Sequence, residues 1–474
     1  MTMQKSWQDD YQQARLEEIL EDGVVRCHLS PRNCKIKEGQ QGFCGVRGNR
    51  NGRLITLNYG KGVHATEEVI ETEAINHYSP GERILSMGNV GCMFNCDYCQ
   101  NWKTSQVKYL EERDVHYYTP EQVVDTAVRH DIRCISWTYN DPVVWHEFIL
   151  DTARLAKQAG LINLYKSAFY ITQEAIDELL PYIDIFSISL KAIDEDYYKK
   201  ITKGSLQPVL SGIKQVYDAG KHLELSTLMI TDISDNEATA MKIADWIMEN
   251  LDSTVPLHFV RFHPDYKMQD TIRTPVNRLI RAREVAIERG IEHVYLGNVV
   301  NTPFTNTFCK NCNTKLVDRF GLNAKVTGLD DNGCCTNCGH DAHFKLLPNN
   351  QPIPTTKTPE LNDFDIRTFD WHGDIVSLHI QLKNNTEQKI NIYHRRRNGN
   401  GNSNSWSIIS LIPNESFRMI LSKSSDGEIG PEVAMPQGII SNLHEVFDRA
   451  HFPTISIEEG VAQSDRTPLP AFHR

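Results

Sequence analysis

The residues that could carry chemistry most directly are Cys92, Cys96 and Cys99, in the segment ILSMGNVGCMFNCDYCQNW at residues 84–102. Their spacing is C-x3-C-x2-C, and the aromatic Tyr98 precedes the last cysteine. Three thiolates on one loop cannot all pair as disulfides, but they can hold three irons of a [4Fe–4S] cluster and leave the fourth iron open to an exchangeable ligand. A structural zinc ion would need a fourth ligand, and none follows at a plausible spacing. The pattern therefore favours the cluster.

This C-x3-C-x-aromatic-C motif resembles the signature of the radical S-adenosylmethionine (SAM) enzymes. The resemblance implies that the amino and carboxylate groups of SAM chelate the open iron, and that one electron from the cluster breaks the sulfonium bond to give a 5′-deoxyadenosyl radical. As the aromatic residue of the signature, Tyr98 is assigned to the cofactor site. Residues 27–345 are similar to the radical SAM component of the AmmeMemoRadiSam system and to pyruvate formate-lyase activating enzymes.

Strands and helices alternate from residue 84 onward. The strands are predicted at 84–87, 134–138, 163–168, 184–190, 223–230 and 257–262, with helices between or after them. This alternation predicts parallel strands joined by right-handed crossovers. The expected fold class is α/β, a partial (βα)6 radical SAM barrel over 81–300, with its site at the carboxyl ends of the strands.

The second strand ends in Thr138-Tyr139-Asn140-Asp141-Pro142. Polar groups at a strand end can hold the ammonium of a bound amino acid, since an acid supplies charge and an amide or hydroxyl supplies direction. The family typically has T-Y-N-E-P here, so the resemblance places Thr138, Asn140 and Asp141 at SAM, with a shorter acid. The alternative is a plain turn, which Asn-Asp-Pro also favours.

Three residues at later strand ends are candidate catalytic groups. Lys191 follows the fourth strand, and in the similar activating enzymes the matching lysine lies beside the SAM carboxylate; a solvated helix cap is the alternative. Arg261 and His263 belong to RFHPDYKM, a string that resembles the family closely. In a strand of period two both would face the pocket; the alternative is a hydrogen-bonded pair on the barrel rim. Phe169 stands where the family often has glycine, which predicts a cavity of different shape.

Cysteines also flank the barrel on both sides. Residues 1–80 are predicted to hold an amphipathic helix over 1–22, followed by Cys27, Cys34 and Cys44. The family usually has another cysteine where this chain has Ser30. Three alternatives stay open: zinc completed by His28 or a remote residue, an auxiliary cluster with an open iron, or a module that has lost its metal.

On the carboxyl side, residues 301–347 carry two C-x2-C pairs: Cys309, Cys312, Cys335 and Cys338. This spacing is typical of a tetrahedral four-cysteine site, and it resembles the rubredoxin-like tail of the family. Cys334 competes with Cys335, but the x2 spacing to Cys338 favours Cys335. Zinc would make the site structural, whereas iron would permit electron transfer.

The composition changes after the second pair of cysteines. Residues 348–363 are rich in proline and threonine and are predicted to be a linker. Beyond it, alternating segments separated by turn sequences predict a β-sandwich-like domain and a tail over 364–474. This domain lies outside the resemblance, and it could bind a partner or cover the pocket.

Composition limits the partners. The chain has 474 residues, enough for two or three domains, with 40% hydrophobic residues and a net charge of −11. It has no apolar run of membrane-spanning length and no long basic stripe, so neither a membrane nor a nucleic acid is expected as a partner. The polar start and the many unpaired cysteines predict a cytoplasmic protein.

Two classes of function are compatible with these patterns. The first is a radical SAM enzyme that removes a hydrogen atom from a small molecule, a peptide or a protein, with a donor such as flavodoxin or ferredoxin supplying the electron. A glycyl-radical-enzyme activase is a special case of this class. The second is a non-catalytic scaffold stabilised by zinc, which predicts zinc at every cysteine site and no cleavage of SAM.

Overall fold

The computed structural model of the chain describes residues 6–299, 303–347, 364–371, 377–398, 406–422, 428–436 and 440–446. The predicted linker (348–363) and the tail beyond residue 446 lie outside these described residues. One eleven-stranded sheet runs through the described part of the chain, and smaller sheets pack around it.

The N-terminal segment forms short strands and 3-10 turns. The turns are Ser6–Gln8, Glu21–Gly23 and Ile70–Glu73. The strands are β1 (Gln12–Gln13), β2 (Glu17–Ile19), β3 (Val25–Cys27), β4 (Cys34–Ile36), β5 (Arg47–Arg50), β6 (Arg53–Thr56), β7 (Lys61–Gly62) and β8 (Thr66–Val69). They build two small antiparallel sheets, β1-β6-β5 and β2-β3-β4, while β8 joins the large sheet.

The helix predicted over residues 1–22 is wrong for the described part of that range. Leu16 has a φ of 58°, in the left-handed region that an α-helix does not contain. Glu17 instead accepts hydrogen bonds from the Arg53 side chain and from Leu54 N, the latter at 2.9 Å. These partners lie more than thirty residues further on, so contacts with a distant strand override the local helical periodicity.

The centre of the large sheet is a half-open barrel of parallel strands. Its strands are β9 (Arg83–Gly88), β11 (Cys134–Thr138), β12 (Ile162–Ser167), β13 (Ile185–Ser189), β14 (His222–Met229), β15 (Leu257–Arg261) and β16 (Val294–Gly297). The short strand β10 (His116–Tyr117) lies outside the barrel and pairs with β7. Strand order β9-β11-β12-β13-β14-β15-β16 is parallel throughout. The predicted partial barrel is therefore confirmed, and β16 extends it by one parallel strand.

Helices cover the outside of this barrel. They are α1 (Trp102–Ser105), α2 (Pro120–Arg129), α3 (His146–Gln158), α4 (Gln173–Leu179), α5 (Glu195–Tyr197), α6 (Gln207–Asp218), α7 (Glu237–Asn250) and α8 (Val276–Glu288). Their apolar faces are buried against the sheet, as Phe148, Ile149 and Ala153 of α3 illustrate. Among the described helices, none has both the length and the apolar character needed to cross a membrane.

Two further modules follow the barrel. The ribbon consists of β17 (Thr307–Phe308), β18 (Lys315–Phe320) and β19 (Asn323–Val326). The C-terminal all-β region contains β20 (Phe364–Thr368), β21 (Ser377–Lys383), β22 (Ile390–Asn398), β23 (Ser407–Leu411), β24 (Ser416–Ser422), β25 (Glu428–Pro436) and β26 (Ile440–Val446). Within it, β20-β25-β22-β23 form one sheet and β24-β21-β26 belong to the other.

The C-terminal region is joined to the barrel through β8. This strand pairs antiparallel with β9 on one side and parallel with β24 on the other, where Arg418 is opposite Thr66. Arg129 at the end of α2 adds an ion pair with Glu415 at 3.1 Å. His130 Nε2 lies 3.1 Å from the carbonyl oxygen of Ser410. The large sheet thus runs continuously from the barrel into the C-terminal region.

Acidification is expected to weaken this junction through His64 and His116. Their rings lie with centroids 3.5 Å apart and face Arg418. Burial lowers the pKa of His116 to about 4. Because an unfolded histidine titrates near about 6.5, protonation favours the unfolded chain. Stability is therefore lost as the pH falls from the unfolded pKa of about 6.5 toward the folded pKa of about 4. His116→Phe should therefore reduce the drop in melting temperature between about pH 7 and about pH 5, measured by scanning fluorimetry. The exposed His343→Phe is the control, and equal drops in the two variants would contradict this account.

Candidate active site

A cavity of about 460 Å³ lies at the carboxyl ends of the parallel strands. Its size is within the range of about 300–1,000 Å³ that ligand pockets usually have. Cys92, Cys96 and Cys99 line it, as do residues at the ends of successive strands: Thr138, Asn140, Asp141, Ser167, Ser189, Lys191, Ser226, Leu228, Val260 and His263. The cysteine loop and the predicted strand ends therefore share one pocket.

The cysteine loop is held in place by charged side chains. Asp97 forms ion pairs with Lys203 and Lys267, each at 3.0 Å. Arg32, from the N-terminal segment, donates to the Met93 carbonyl at 2.7 Å and to the Lys203 carbonyl. The loop is thus anchored to the N-terminal segment through Arg32 and to two later segments through Lys203 and Lys267.

The three thiols have surroundings that suit iron–sulfur ligation. Phe94 N donates to Cys92 Sγ at 3.3 Å, and Ser105 Oγ lies 3.3 Å from Cys99 Sγ. Burial raises the pKa of the Cys96 thiol to about 12 and raises those of its two neighbours. Such thiols stay protonated at neutral pH unless a metal takes the place of the proton. A soft donor set at the wall of a ligand-sized cavity fits a [4Fe–4S] cluster.

Thr138 and Asn140 connect the end of β11 to its surroundings. Thr138 Oγ1 donates to Glu73 at 2.8 Å. Asn140 Nδ2 donates to the Asn89 carbonyl at 2.5 Å and to Thr104 Oγ1 at 3.0 Å. Asn89 begins the cysteine loop and Thr104 lies in α1, so the Asn140 amide ties the strand end to the segment that carries the cysteines.

Asp141 connects the same strand end to its neighbour β12. Its carboxylate accepts hydrogen bonds from Ser167 Oγ at 2.7 Å, from Ala168 N at 2.8 Å and from Val143 N at 3.3 Å. Burial raises the pKa of Asp141, although these donors oppose the rise. The carboxylate therefore lines the cavity in a fixed orientation, as part of a capped turn that starts the 3-10 helix Pro142–Trp145.

Lys191 lies in the cavity wall beside the cysteine loop. Its Nζ is 5.9 Å from the centroid of the Tyr98 ring, and its charge faces Cys96, Cys99 and Asp141. The ring of Tyr98 is buried at 6% exposure and also lines the cavity. A lysine in this position is not a solvated helix cap.

Arg261 and His263 do not both face the pocket. His263 lines the cavity. Arg261 is outside the lining found among the described residues, and its Nε donates to the Thr274 carbonyl at 2.7 Å. Strand β15 ends at Arg261, so the period of two that predicted a common direction no longer applies at His263.

Comparison with known proteins identifies the family. Residues 87–247 match the Radical SAM superfamily. The uncharacterized protein MJ0808 of Methanocaldococcus jannaschii is 39% identical over 335 residues, which are 70% of this chain and 99% of that protein. The chain belongs to the radical SAM superfamily. It is an enzyme that uses radical SAM chemistry, and the scaffold hypothesis is set aside.

This radical SAM enzyme is similar to activating enzymes. The pyruvate formate-lyase-activating enzyme of Clostridium pasteurianum is 22% identical over 200 residues, 38% of this chain and 80% of that enzyme. Among solved structures, QueE from Escherichia coli gives a TM-score of 0.34 at 11% identity, over 51% of this chain and 94% of that one. The predicted activating-enzyme-like family is confirmed by the superfamily match and by the activating enzyme of Clostridium pasteurianum, and membership of the superfamily implies SAM and a [4Fe–4S] cluster.

The radical SAM enzyme also carries a polar cluster on its cavity wall that the sequence analysis missed. Lys166 Nζ donates to Ser187 Oγ and Ser226 Oγ, both at 3.0 Å. Glu73 accepts from Thr138 at 2.8 Å, and burial raises the pKa of this carboxyl to about 7. Burial lowers the pKa of Lys166 to about 8. The one signal in the sequence was a charged residue, Lys166, inside the predicted buried strand of the segment INLYKSAFY.

The prediction that Phe169 reshapes the cavity is wrong. Phe169 has a φ of 61°, the left-handed conformation that glycine adopts most readily. Its ring points into the helical layer, against Tyr165, Phe186 and the space beside Gly212. The residue thus keeps the backbone turn of a glycine while its side chain fills the core.

The ribbon of this radical SAM enzyme brings four cysteines together in an arrangement that could hold a metal ion. The ligand atoms of Cys309, Cys312, Cys335 and Cys338 all lie within 4.8 Å of one another. Two sulfur pairs, Cys309–Cys338 and Cys312–Cys335, are each 3.6 Å apart. Zinc–sulfur bonds of about 2.3 Å in a tetrahedron place sulfurs about 3.8 Å apart, so the donor set fits a single ion.

The N-terminal cysteines lie outside the main cavity. Cys27, Cys34 and Cys44 line a second, much smaller cavity of about 20 Å³, together with Ser30. Met93 of the cysteine loop also lines it. The loop that carries Cys92 thus contributes residues to both cavities.

Proposed function

We propose that this enzyme binds a [4Fe–4S] cluster through Cys92, Cys96 and Cys99 and removes a hydrogen atom from its substrate. When bound, the reduced cluster would give one electron to the sulfonium of SAM, which splits into methionine and a 5′-deoxyadenosyl radical. The observation that carries the proposal is that the three signature thiols and the polar ends of successive strands line one cavity.

In this proposal, Asp141 and Lys191 recognise the amino-acid part of SAM. The Asp141 carboxylate offers a negative charge to the ammonium, and its three hydrogen bonds fix its direction. Lys191 offers a point charge to the carboxylate. Thr138 and Asn140 are proposed to fix the position of the strand end relative to the cysteine loop. Tyr98 is proposed to form the aromatic part of the cavity wall beside Lys191.

His263 and Arg261 take different roles. His263, on the cavity wall, is proposed to orient SAM or to carry a proton, since imidazole titrates near neutral pH. Arg261 is proposed as a positioning residue, because its guanidinium holds the Thr274 carbonyl and so fixes the loop that leaves β15. The ribbon is proposed to hold zinc or iron at Cys309, Cys312, Cys335 and Cys338.

We propose a small molecule, a peptide or a protein as the substrate. The curated relatives include an enzyme named for activating 4-hydroxyphenylacetate decarboxylase, 24% identical over 131 residues. This supports a glycyl-radical-enzyme activase as the second candidate, in which a glycine of a partner protein would enter the cavity. An external one-electron donor of the flavodoxin or ferredoxin kind is required in either case.

Anaerobic reconstitution tests this function. The enzyme should take up iron and sulfide, and after reduction it should convert SAM to 5′-deoxyadenosine, detected by mass spectrometry. Candidate substrates labelled with deuterium should then transfer the label into 5′-deoxyadenosine. Full iron and sulfide loading without any reductive cleavage of SAM would reject the proposal.

Replacing Lys191 by methionine should weaken SAM binding while leaving the cluster intact. A charge-assisted hydrogen bond contributes about 1.5–3 kcal/mol, so we expect the KM for SAM to rise about ten- to a hundredfold. Iron content should be unchanged, because Lys191 ligates no iron. The control is Lys199→Met, which removes an exposed lysine that pairs with Glu195 at 3.6 Å. An unchanged KM in Lys191→Met would remove this residue from the SAM site.

A further inference from the structure

Neighbouring strands of the barrel place polar side chains on the wall of the main cavity. Lys166 of β12, Ser189 of β13, Ser226 of β14 and His258 of β15 all line it. The strand register sets Ser226 directly beside Ser189 on one side and beside His258 on the other. Lys166 Nζ reaches Ser226 Oγ at 3.0 Å. These four residues therefore form one continuous surface, the polar wall of the cavity.

The ammonium of Lys166 has a donor that no protein group uses. A lysine ammonium carries three N–H groups. Two of them are given to Ser187 Oγ and Ser226 Oγ, both at 3.0 Å. In the part of the chain that the structure describes, no carboxylate forms an ion pair with this ammonium. Because a buried cation requires pairing or hydrogen bonding, the third N–H is available to a ligand.

The charged groups that face Lys166 are Glu73, Glu224 and Lys191. Glu73 accepts hydrogen bonds from two hydroxyl groups, at 3.1 and 2.8 Å. Glu224 accepts from two main-chain N–H groups and lies within hydrogen-bond distance of two imidazoles. Lys191 is a second cation. Both carboxylates are thus engaged by other groups, and the remaining neighbour favours an anion beside Lys166.

His258 presents a hydrogen-bond acceptor on the same wall. Its Nε2 lies 2.8 Å from Glu224 Oε2. Burial opposes ionisation of Glu224, but the hydrogen bonds from His222 and His258 outweigh it and lower the pKa of Glu224 well below its usual value. Burial also lowers the pKa of His258, so its ring is neutral near neutral pH.

The tautomer of His258 follows from this contact. An ionised carboxylate only accepts hydrogen bonds, so Nε2 carries the ring hydrogen and Nδ1 keeps a lone pair. Nδ1 has no hydrogen-bond partner among the described residues and is not enclosed, and the ring lines the cavity. The polar wall therefore offers a cationic donor at Lys166 and a neutral acceptor at His258, with Ser226 between them.

We propose that the polar wall binds the substrate as a small carboxylic acid that carries a hydroxyl or amino group on the carbon next to the carboxylate. Lys166 donates to the carboxylate, and Nδ1 of His258 accepts from the hydroxyl or amino group. The Ser189 and Ser226 hydroxyls, 3.2 Å apart, lie beside them. One free ammonium balances one negative charge, which favours a carboxylate over a phosphate with about two.

This inference rests on the proposed function, since it names the substrate class of the same cavity. It also separates the two candidate substrates. A glycine inside a polypeptide has no carboxylate of its own and would leave the third N–H of Lys166 unused. The polar wall thus favours a small acid over the glycine of a partner protein.

Titration of the unaltered enzyme with four probes of similar size tests the polar wall. Lactate and alanine carry both groups, propionate lacks the donor, and propylene glycol lacks the carboxylate. The reconstituted enzyme is kept free of oxygen, saturated with SAM and not reduced, and binding is followed by ligand-observed NMR. Lactate or alanine should bind about tenfold or more tightly than propylene glycol, and about two- to tenfold more tightly than propionate.

Two variants assign these preferences to residues. Lys166→Met should abolish the preference for the acids over propylene glycol. His258→Gln keeps an N–H donor for Glu224 but has no acceptor at the position of Nδ1, so it should abolish the preference over propionate. The control is Lys242→Met, which removes an exposed lysine of α7. Iron content and melting temperature show whether each variant is folded.

Equal affinities of all four probes for the unaltered enzyme would overturn the inference, whether or not the variants fold. Unchanged preferences in folded Lys166→Met would do so too. Loss of lactate and alanine binding when SAM is added would place the acid at Lys191, which equally contradicts the proposal. Because the titration uses enzyme that is not reduced, failure of SAM cleavage alone rejects only the proposed function.

Discussion

Replacing Cys99 by alanine should reduce the formation of 5′-deoxyadenosine to background. A cluster with two remaining protein thiolates loses both its hold on the loop and the geometry that leaves one iron for SAM. Even changes beyond the direct ligands of a metal cost about ten- to a hundredfold in affinity or activity, so loss of a ligand should exceed a hundredfold. The measurement is reductive SAM cleavage by anaerobically reconstituted protein, with iron and sulfide determined on the same sample.

The matched control for this experiment is Cys334→Ala, which removes a cysteine from the ribbon. It should keep full SAM cleavage and full cluster loading. Cys92→Ala and Cys96→Ala should behave like Cys99→Ala, because the three thiols line one cavity. Retention of cleavage in any of the three signature variants would mean that the cluster is held elsewhere.

The second large effect is expected at the ribbon. Removing Cys312 by alanine substitution should release the ribbon metal and unfold residues 307–346. In zinc-finger peptides the metal contributes about 10–16 kcal/mol of apparent binding free energy, which is also folding free energy. Hydrogen exchange should therefore show loss of protection across the ribbon, while the barrel helices stay protected.

Unfolding of the ribbon should also reach the cavity. Arg319 of β18 is buried and donates to the Asn76 carbonyl at 2.7 Å, to Thr307 Oγ1 at 2.8 Å and to Glu71 at 3.4 Å. Arg319 and Glu71 line the cavity, so their separation should lower SAM cleavage as well. Cys334→Ala again serves as the control. Full protection of the ribbon after loss of its metal would show that packing alone holds it.

The sequence predicted those parts of the fold and of the site that depend on motifs within short segments. The C-x3-C-x2-C loop, the alternation that gives the barrel, and the paired C-x2-C motifs each depend on spacing within a short segment. The structure brings Cys92, Cys96 and Cys99 to the cavity at the strand ends. The four ribbon sulfurs converge as their spacing predicted.

The sequence could not show which distant side chains meet. Glu73 and Lys166 are far apart in the chain and approach only because the 3-10 turn at Ile70–Glu73 lies against the barrel. The sequence placed Asp141 at the cavity but could not show that Ser167 and Ala168 fix the orientation of its carboxylate. Phe169 was expected to change the shape of the cavity, but its backbone conformation turns the ring away. Each of these features depends on an orientation that is set by tertiary packing and not by spacing.

A half-open barrel exposes unpaired backbone groups along its two outer strands, and such edges invite association with other chains. In this enzyme, β8 and then β24 continue the sheet beyond β9. The border next to the strand that feeds the cysteine loop is therefore occupied by the chain's own carboxyl-terminal region. The C-terminal strands therefore prevent a second copy of the chain from pairing with β9 or β8. A protein substrate must reach the cavity from another side.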